Sequence, residues 1–143
     1  PMPKMTIDEF NILLAEEMPF ALEAGLTLDE MKNGDATMTL PYDDTMLRPG
    51  GTISGPSMMM LADATMYAVV LSMIGRVALA VTTNFNINFL RKPSPGDISA
   101  EGKIIKLGKR LAVIQVTLFS ANEEEPVAHA TGTYSIPPVD KRP

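Results

Sequence analysis

The chain has 143 residues, of which 45% are hydrophobic and 20% are charged, and its formal net charge is −5. This length and composition predict one globular domain over residues 1–143, with loose termini at residues 1–5 and 137–143. The negative charge argues against a nucleic-acid partner. The absence of cysteine excludes a disulfide scaffold and a zinc–thiolate site, and the single histidine, His129, argues against a multi-histidine metal site or a serine triad.

The cellular location is predicted from the apolar segments. The N-terminal residues lack the apolar core of a signal peptide. The longest apolar run, residues 58–74, contains Asp63 and is shorter than the about 20 clean residues that span a bilayer. We therefore expect a cytoplasmic protein without a membrane partner, in which this run forms a buried helix.

The first third of the chain predicts one helix and two strands. A helix is expected at residues 6–18, because Thr6 can cap it, Glu9 follows three residues later, and apolar residues fall on one face. Two short alternating strands, or one bent strand, follow within residues 25–42, with turn-forming residues at 33–35.

The rest of the chain is predicted to be a loop, one apolar helix and, from Ala78 onward, only strands. A Gly- and Pro-rich loop at residues 42–56 leads into the apolar helix, which ends near Gly75. A helix that is apolar on nearly all sides must be covered on most sides, and an antiparallel sheet curled around it does this. The fold class is therefore α+β, and one open sheet edge invites pairing with a second copy of the chain. The four long strands are expected at residues 81–90, 98–107, 111–121 and 127–136.

Asp63 is the only charged residue in the apolar helix. Burying a carboxylate is costly, so we expect it to have a hydrogen-bonding partner or a catalytic task. An aspartate that points to an exposed edge, or that bonds a nearby amide, is the alternative interpretation.

The loop before this helix ends in Ser54, Gly55 and Pro56. Pro56 suits the start of a helix, and Gly55 lets another molecule approach its backbone closely. Free N–H groups there favour an anion or oxyanion, although an ordinary helix cap uses the same residues. Gly55 and Asp63 are roughly 12 Å apart along a helix, so one carbonyl group can touch both only across two antiparallel subunits. Together these features predict a dimer with two shared sites.

Basic residues are concentrated between positions 91 and 110, which hold half of the 12 Lys and Arg residues. Two pairs, Arg91 with Lys92 and Lys109 with Arg110, adjoin predicted turns and could hold phosphates. Solvated strand ends are the alternative interpretation. His129 is interpreted as a structural histidine with a hydrogen-bonding partner.

The sequence around Asp63 resembles the signature of hotdog-fold acyl-CoA thioesterases, most closely the phenylacetate-pathway PaaI type. That signature reads His-Gly-Gly, six residues and then Asp, often after Leu-Ala, with an Asn-x-x-Gly-x-x lead-in. Here Gly51 matches the lead-in, Gly55 the first Gly of the pair and Asp63 the acid. Ser54 stands where the family has His, Arg48 where it has Asn, and Pro56 replaces the second Gly. Further matching segments lie at residues 84–93, 95–97, 108–112 and 130–134, so the resemblance covers about residues 20–136.

The resemblance implies a hotdog fold and hydrolysis of an aryl- or short- to medium-chain acyl-CoA, without a metal or other cofactor. It implies that the Gly55 N–H polarises the thioester carbonyl and that Asp63 of the facing subunit is general base or nucleophile. Ser54 occupies a catalytic position, as does Thr82, which we prefer over Thr83 as the hydroxyl residue near the acid. A homodimer is the minimal unit, and a tetramer is preferred. The implied substrate-binding residues are Arg48, Phe89, Leu90, Arg91, Lys92, Ser94, Gly108, Lys109 and Arg110.

Three alternatives remain at this stage. Because Ser54 and Arg48 replace the family's His and Asn, the protein could bind acyl-CoA or another ligand without turnover. A hotdog dehydratase would need a catalytic histidine, and His129 lies far along the chain from Asp63. A purely structural module would leave Asp63 without a role.

Overall fold

The computed structural model describes residues 1–43, 47–48, 52–77 and 80–139. Three helices are present in these ranges: α1 (Ile7–Glu17), α2 (Pro19–Glu23) and α3 (Gly55–Ile74). The strands are β1 (Thr27–Lys32), β2 (Asp35–Leu40), β3 (Leu47–Arg48), β4 (Thr52–Ile53), β5 (Val81–Phe89), β6 (Ile98–Leu107), β7 (Leu111–Ser120) and β8 (Ala128–Ser135).

Six of the strands form one antiparallel sheet in the order β1-β2-β6-β7-β8-β5, and β3 pairs with β4 in a separate small hairpin. The sheet packs around α3, which confirms the predicted α+β hotdog architecture. The long strands alternate between buried and half-buried residues, as along β7 and β8, because successive side chains point to opposite faces. The inward-facing side chains cover the central helix.

Helix α3 is buried on most of its circumference. Its side chains pack against β1, β2, β6 and β7, and the backbones come very close at Gly102, where an added Cβ would lie 2.9 Å from a methyl group of Thr65. One stripe of α3 stays open, along Pro56, Met59, Met60 and Asp63. These residues follow the i, i+3, i+4, i+7 spacing of one helix face. The two exposed residues of α3, Pro56 and Met59, therefore lie on the helix face that carries the charged residue.

By length and composition α3 could also cross a membrane. Its most apolar stretch is 67% buried within the fold, as is typical of a core helix. The cytoplasmic location stays a prediction.

The N-terminal region forms one more helix than predicted. Thr6 and Glu9 make the expected reciprocal capping box at the start of α1, with N–H to side-chain distances of 3.0 and 3.1 Å. Met18 ends α1, and Pro19 then begins the one-turn helix α2, since proline suits the first position of a helix. A single turn carries no periodicity, so the sequence pattern did not reveal α2.

Lys4 and Met5, within the N-terminal segment that we expected to be loose, are attached to the body of the fold. The Lys4 N–H donates to the Ser72 carbonyl at 2.8 Å, and Met5 is only 3% exposed. Apolar burial and one backbone hydrogen bond hold this segment beside the end of α3. Of the C-terminal tail, residues 140–143 lie outside the described residues.

The last strand of the sheet, β5, is an edge strand with irregular pairing to β8. Thr82 pairs with Tyr134 and Asn84 with Thr133, so Thr83 is an extra, bulged residue between them. A bulge bends the strand and re-aims the neighbouring side chains. Most of β5 is exposed in the single chain, which is the open edge that the sequence predicted.

Candidate active site

Asp63 lies at the centre of a hydrogen-bonded cluster on the open stripe of α3. Its Oδ1 accepts a hydrogen bond from Thr82 Oγ1 at 2.8 Å and a second from Tyr134 Oη at 2.9 Å. The Tyr134 hydroxyl also lies 3.1 Å from the Asp63 carbonyl oxygen. Asp63 Oδ2 has no hydrogen-bonding partner among the described residues. One carboxylate oxygen is therefore held by two donors while the other is available.

Tyr134 is held in place by a second tyrosine. The rings of Tyr134 and Tyr67 stack with centroids 6.1 Å apart and an interplanar angle of 17°. Burial raises the pKa of Tyr134 first, and the negative charge of Asp63 raises it further. Burial, with Glu17 next, raises the pKa of Tyr67 to about 12. Both phenols keep their protons near neutral pH, so Tyr134 acts as a donor to Asp63.

The structure distinguishes the two candidate threonines. Thr82 points to Asp63, whereas Thr83 Oγ1 donates to the Thr133 carbonyl oxygen at 3.2 Å. The bulge at Thr83 and the Thr82–Tyr134 pairing bring both donors to the same carboxylate oxygen. Sequence reasoning missed Tyr134, although it quoted the segment that contains it. The only available signal was its inward position in the alternation of β8, which does not specify what it meets.

An apolar groove opens beside Asp63, with a volume of about 490 Å³. A second cavity of about 300 Å³ adjoins it and also contains Asp63 and Thr82. Met18 and Phe20 line both cavities, and sequence reasoning assigned neither to the site. The other residues lining the larger groove are Pro56, Met59, Met60 and Phe85.

The N-terminus of α3 presents a free backbone donor at Gly55. Ser54 caps the helix: its side chain accepts from the Ser57 N–H at 3.3 Å, and the two serine hydroxyls lie 2.9 Å apart. The Gly55 N–H has no acceptor among the described residues. Gly55 lies under Phe89, because an added Cβ would be 3.3 Å from the tip of that ring. Ser54, predicted as catalytic, is thus engaged as a helix cap.

Gly55 and Asp63 are on the same helix, eight residues apart. At about 1.5 Å per residue they are separated by roughly 12 Å, as the sequence predicted. The two groups of one chain therefore lie too far apart to act on the same carbonyl group.

The predicted phosphate-binding residues lie at the two ends of α3 in the single chain. Phe89, Leu90, Arg91 and Lys92 adjoin Met58 around a cavity of about 380 Å³ at the N-terminal end. Gly108, Lys109 and Arg110 adjoin Ile74 around a cavity of about 480 Å³ at the C-terminal end. A 20-residue helix is roughly 30 Å long, so one chain does not bring the two groups together.

Arg91 is already partnered within the chain. Its guanidinium group lies 2.6 Å from Glu125 and donates to the Pro126 carbonyl oxygen at 3.0 Å. Ser94 Oγ donates to Glu123 at 2.6 Å, and its N–H donates to Ser120 Oγ. Of the four basic residues in the two pairs, Lys92, Lys109 and Arg110 carry no ion pair within the described part of the chain.

Three further predictions concern single residues. His129 Nε2 lies 3.1 Å from Gln115 Oε1, as expected for a structural histidine with a partner. The side chain of Arg48, predicted to bind substrate, and the whole of Gly51 lie outside the described residues. No group of three or more His, Cys, Asp or Glu with metal-binding geometry occurs within the described ranges.

Comparison with known proteins assigns this arrangement to a family. A family model described as the thioesterase superfamily matches residues 50–127. The solved structure of a "putative thioesterase" from Silicibacter sp. TM1040 is 44% identical, with a TM-score of 0.86 over 95% of this chain and 94% of that one. A "putative esterase" from Saccharolobus solfataricus is 28% identical over 94% of this chain and 87% of its own length. The Escherichia coli PaaI protein from the phenylacetic acid degradation operon, 22% identical, shares the fold with a TM-score of 0.81 over 92% of this chain and 93% of that one.

A sheet around a central helix, with an aspartate on the helix's open stripe, defines a hotdog-fold enzyme. The chain belongs to the thioesterase superfamily, and its fold is the PaaI type that the sequence resemblance implied. Its activity is therefore thioester hydrolysis in general terms.

Proposed function

We propose that this protein hydrolyses acyl-CoA thioesters to the free acid and CoA, in a homodimer with two shared active sites. Asp63 of one subunit is the general base, and the N–H of the partner's Gly55 binds the thioester oxygen. The observation that carries the proposal is the Asp63 carboxylate, which is fixed by Thr82 and Tyr134 through Oδ1 and lines an apolar groove.

The reaction assigns a separate task to each group. Asp63 Oδ2 takes a proton from water, and the hydroxide adds to the thioester carbon. Negative charge then develops on the carbonyl oxygen, where the Gly55 N–H and the positive end of the α3 dipole stabilise it. The carbon–sulfur bond breaks, and the departing CoA sulfur receives the proton from Asp63. Water and thioester are consumed, and acid and thiol are formed, with no redox change.

Helix geometry supports the shared site. The free Gly55 N–H is roughly 12 Å from Asp63 in the same chain, so a second chain must supply one of the two groups. The exposed edge strand β5 lies beside both residues, because Thr82 contacts Asp63 and Phe89 covers Gly55. Antiparallel pairing of two β5 strands would place each Gly55 against the other chain's Asp63.

The test is a thiol-release assay with aryl-, short- and medium-chain acyl-CoAs, comparing wild type with Asp63→Asn. The variant keeps the size of the side chain and loses its basicity. We expect kcat/KM to fall by about two orders of magnitude or more, the usual scale for loss of a general base. Glu101→Gln, an exposed carboxylate outside the site, is the matched control and should retain wild-type rates.

Two results would contradict the proposal. Absence of thiol release from every acyl-CoA, with CoA still bound, would indicate the ligand-binding alternative in which Ser54 and Arg48 mark a protein without turnover. Equal rates in wild type and Asp63→Asn would remove Asp63 from the chemistry.

A single turnover in ¹⁸O-labelled water separates base from nucleophile, because direct attack by water labels the released acid in that first turnover.

A further inference from the structure

We infer that the segment of Met18 and Phe20 is the wall that selects the acyl group, with Phe20 of helix α2 as its main specificity-determining residue. This inference rests on the proposed function, since it concerns the same groove. It goes further by assigning substrate choice to a part of the chain outside residues 50–127, the segment that the family model matches.

Position is the first argument. Met18 and Phe20 line both the larger groove and the adjoining cavity, and each of these also contains Asp63 and Thr82. Asp63 activates the water that attacks the thioester carbon, so the acyl group bonded to that carbon extends into this space. Met18 and Phe20 are therefore in contact with the acyl part of any thioester whose carbonyl group reaches Asp63.

The exposure of Phe20 is the second argument. Phe20 is 52% exposed, although it is a large aromatic side chain. Leu22, on the same short helix, is similarly exposed at 56% but does not line either cavity. The Phe20 ring would gain buried area when an apolar acyl group fills the groove, whereas the Leu22 side chain would not.

Anchoring of α1 is the third argument. Phe10, Leu13 and Leu14 are buried, and Glu16 pairs with Arg76 at 2.8 Å. Met18 and Phe20 directly follow this anchored helix. The wall that they form is therefore held at a defined distance from α3. A wall at a fixed distance discriminates acyl groups by length and width.

Charge limits the chemical class of the acyl group. The larger groove is lined by one charged residue, Asp63, and the smaller cavity adds Glu17, with no Lys, Arg or His among their described lining residues. An acyl group with its own carboxylate would meet like charges at short range. The part of the groove that one chain supplies, about 490 Å³ in volume, therefore suits an uncharged apolar acyl group.

The experiment measures kcat/KM over a series of saturated acyl-CoAs of increasing chain length, with succinyl-CoA as the charged member. We compare wild type, Phe20→Ala, Phe20→Leu and the matched control Leu22→Ala. Phe20→Ala should raise the ratio of long-chain to short-chain kcat/KM by about tenfold, the scale of a change in pocket contacts. Phe20→Leu should give a smaller shift, Leu22→Ala should keep the wild-type profile, and succinyl-CoA should be a poor substrate throughout.

The inference is overturned if Phe20→Ala changes all chain lengths by the same factor, or if Leu22→Ala shifts the profile equally. Thermal unfolding of each variant identifies a folding defect, and Phe20→Leu then carries the test. Failure of the proposed function gives a different result, because wild type would release no thiol. Calorimetric binding of the same intact acyl-CoAs then tests the wall alone: a chain-length preference that moves with Phe20 supports it, and one that does not overturns it.

Discussion

At the scale of single residues, the two carboxylate oxygens of Asp63 differ in their hydrogen bonding. Thr82 and Tyr134 both donate to Oδ1, whereas Oδ2 has no hydrogen-bonding partner among the described residues. Two donors on one oxygen fix the plane of the carboxylate, which determines where the other oxygen can accept a proton. Orientation of this kind acts on the chemical step more than on substrate binding.

Removing either donor is therefore expected to lower kcat while KM changes little. Tyr134→Phe keeps the ring stacked on Tyr67, and Thr82→Val keeps the shape of the side chain. Each loses one hydrogen bond to a charged group, worth about 1.5–3 kcal/mol, so we expect kcat to fall about tenfold or more. Steady-state kinetics with one acyl-CoA measure this.

The matched control for this pair is Thr83→Val. Thr83 is the next residue of β5, and its hydroxyl bonds the Thr133 carbonyl instead of Asp63. It should leave kcat within about twofold of wild type, since it removes no contact of the carboxylate. An equal loss of kcat at Thr82 and Thr83 would show that the effect comes from the strand and not from the hydrogen bond to Asp63.

Residues differ in how far the sequence could reveal their surroundings. Asp63 is conspicuous because no other charge interrupts its helix, and Gly55 because it adjoins Pro56 at the start of that helix. Tyr134 is not conspicuous in the sequence, because its contact with Asp63 depends on the register of β5 against β8 and on the bulge at Thr83. A register is a long-range property, and the local pattern specifies only which side of a strand faces inward.

At the scale of elements, the long periodic segments were predictable and the short ones were not. Strand β6 has its predicted bounds, and α3 begins three residues before the start of the apolar run. The hairpin of β3 and β4 and the single turn of α2 are too short to show a period. The groove wall at α2 was missed for the same reason.

The start of α3 gives the prediction that belongs to this scale. Ser54→Ala removes the side chain that caps the Ser57 N–H, so the free energy of unfolding should fall by about 1 kcal/mol. Ser54→Asp keeps a good capping group and should restore most of that loss. Chemical denaturation of both variants measures the change.

The same two variants separate a structural role for Ser54 from a catalytic one. If the hydroxyl only caps α3, kcat of Ser54→Ala at a temperature where it is folded should stay far above that of Asp63→Asn. A loss of kcat as large as in Asp63→Asn, with an unchanged free energy of unfolding, would instead place the Ser54 hydroxyl in the reaction.

At the scale of the whole molecule, pairing of two chains would bring together two groups of basic residues that lie far apart in one chain. In one chain, Lys92 and Arg110 lie near opposite ends of α3, roughly 30 Å apart. If Gly55 of each chain faces Asp63 of the other, the C-terminal end of one α3 projects past the N-terminal end of its partner. Along the helix axis, the Ile74 end of one α3, beside Arg110, then lies roughly 16 Å from the Gly55 end of the partner's α3, beside Lys92, which is about half of their separation within one chain. We therefore expect both basic groups to contribute to CoA binding in the dimer.

Mixing two inactive variants tests the shared site directly. Asp63→Asn lacks the base, and Gly55→Pro lacks the N–H; proline is acceptable at the first position of α3, because Ser54 already has the extended backbone that precedes a proline. Each variant alone should lose at least about 100-fold in kcat.

In a mixed dimer, Gly55 of the first chain and Asp63 of the second form one intact site, while the other site lacks both groups. Refolding equal amounts together gives half mixed dimers, so activity should recover to about a quarter of wild type. If each chain carried its own complete site, the mixture would stay as inactive as its components. Gly55→Ala, which keeps the N–H and adds only the Cβ near Phe89, controls for steric effects and should retain much more activity than Gly55→Pro.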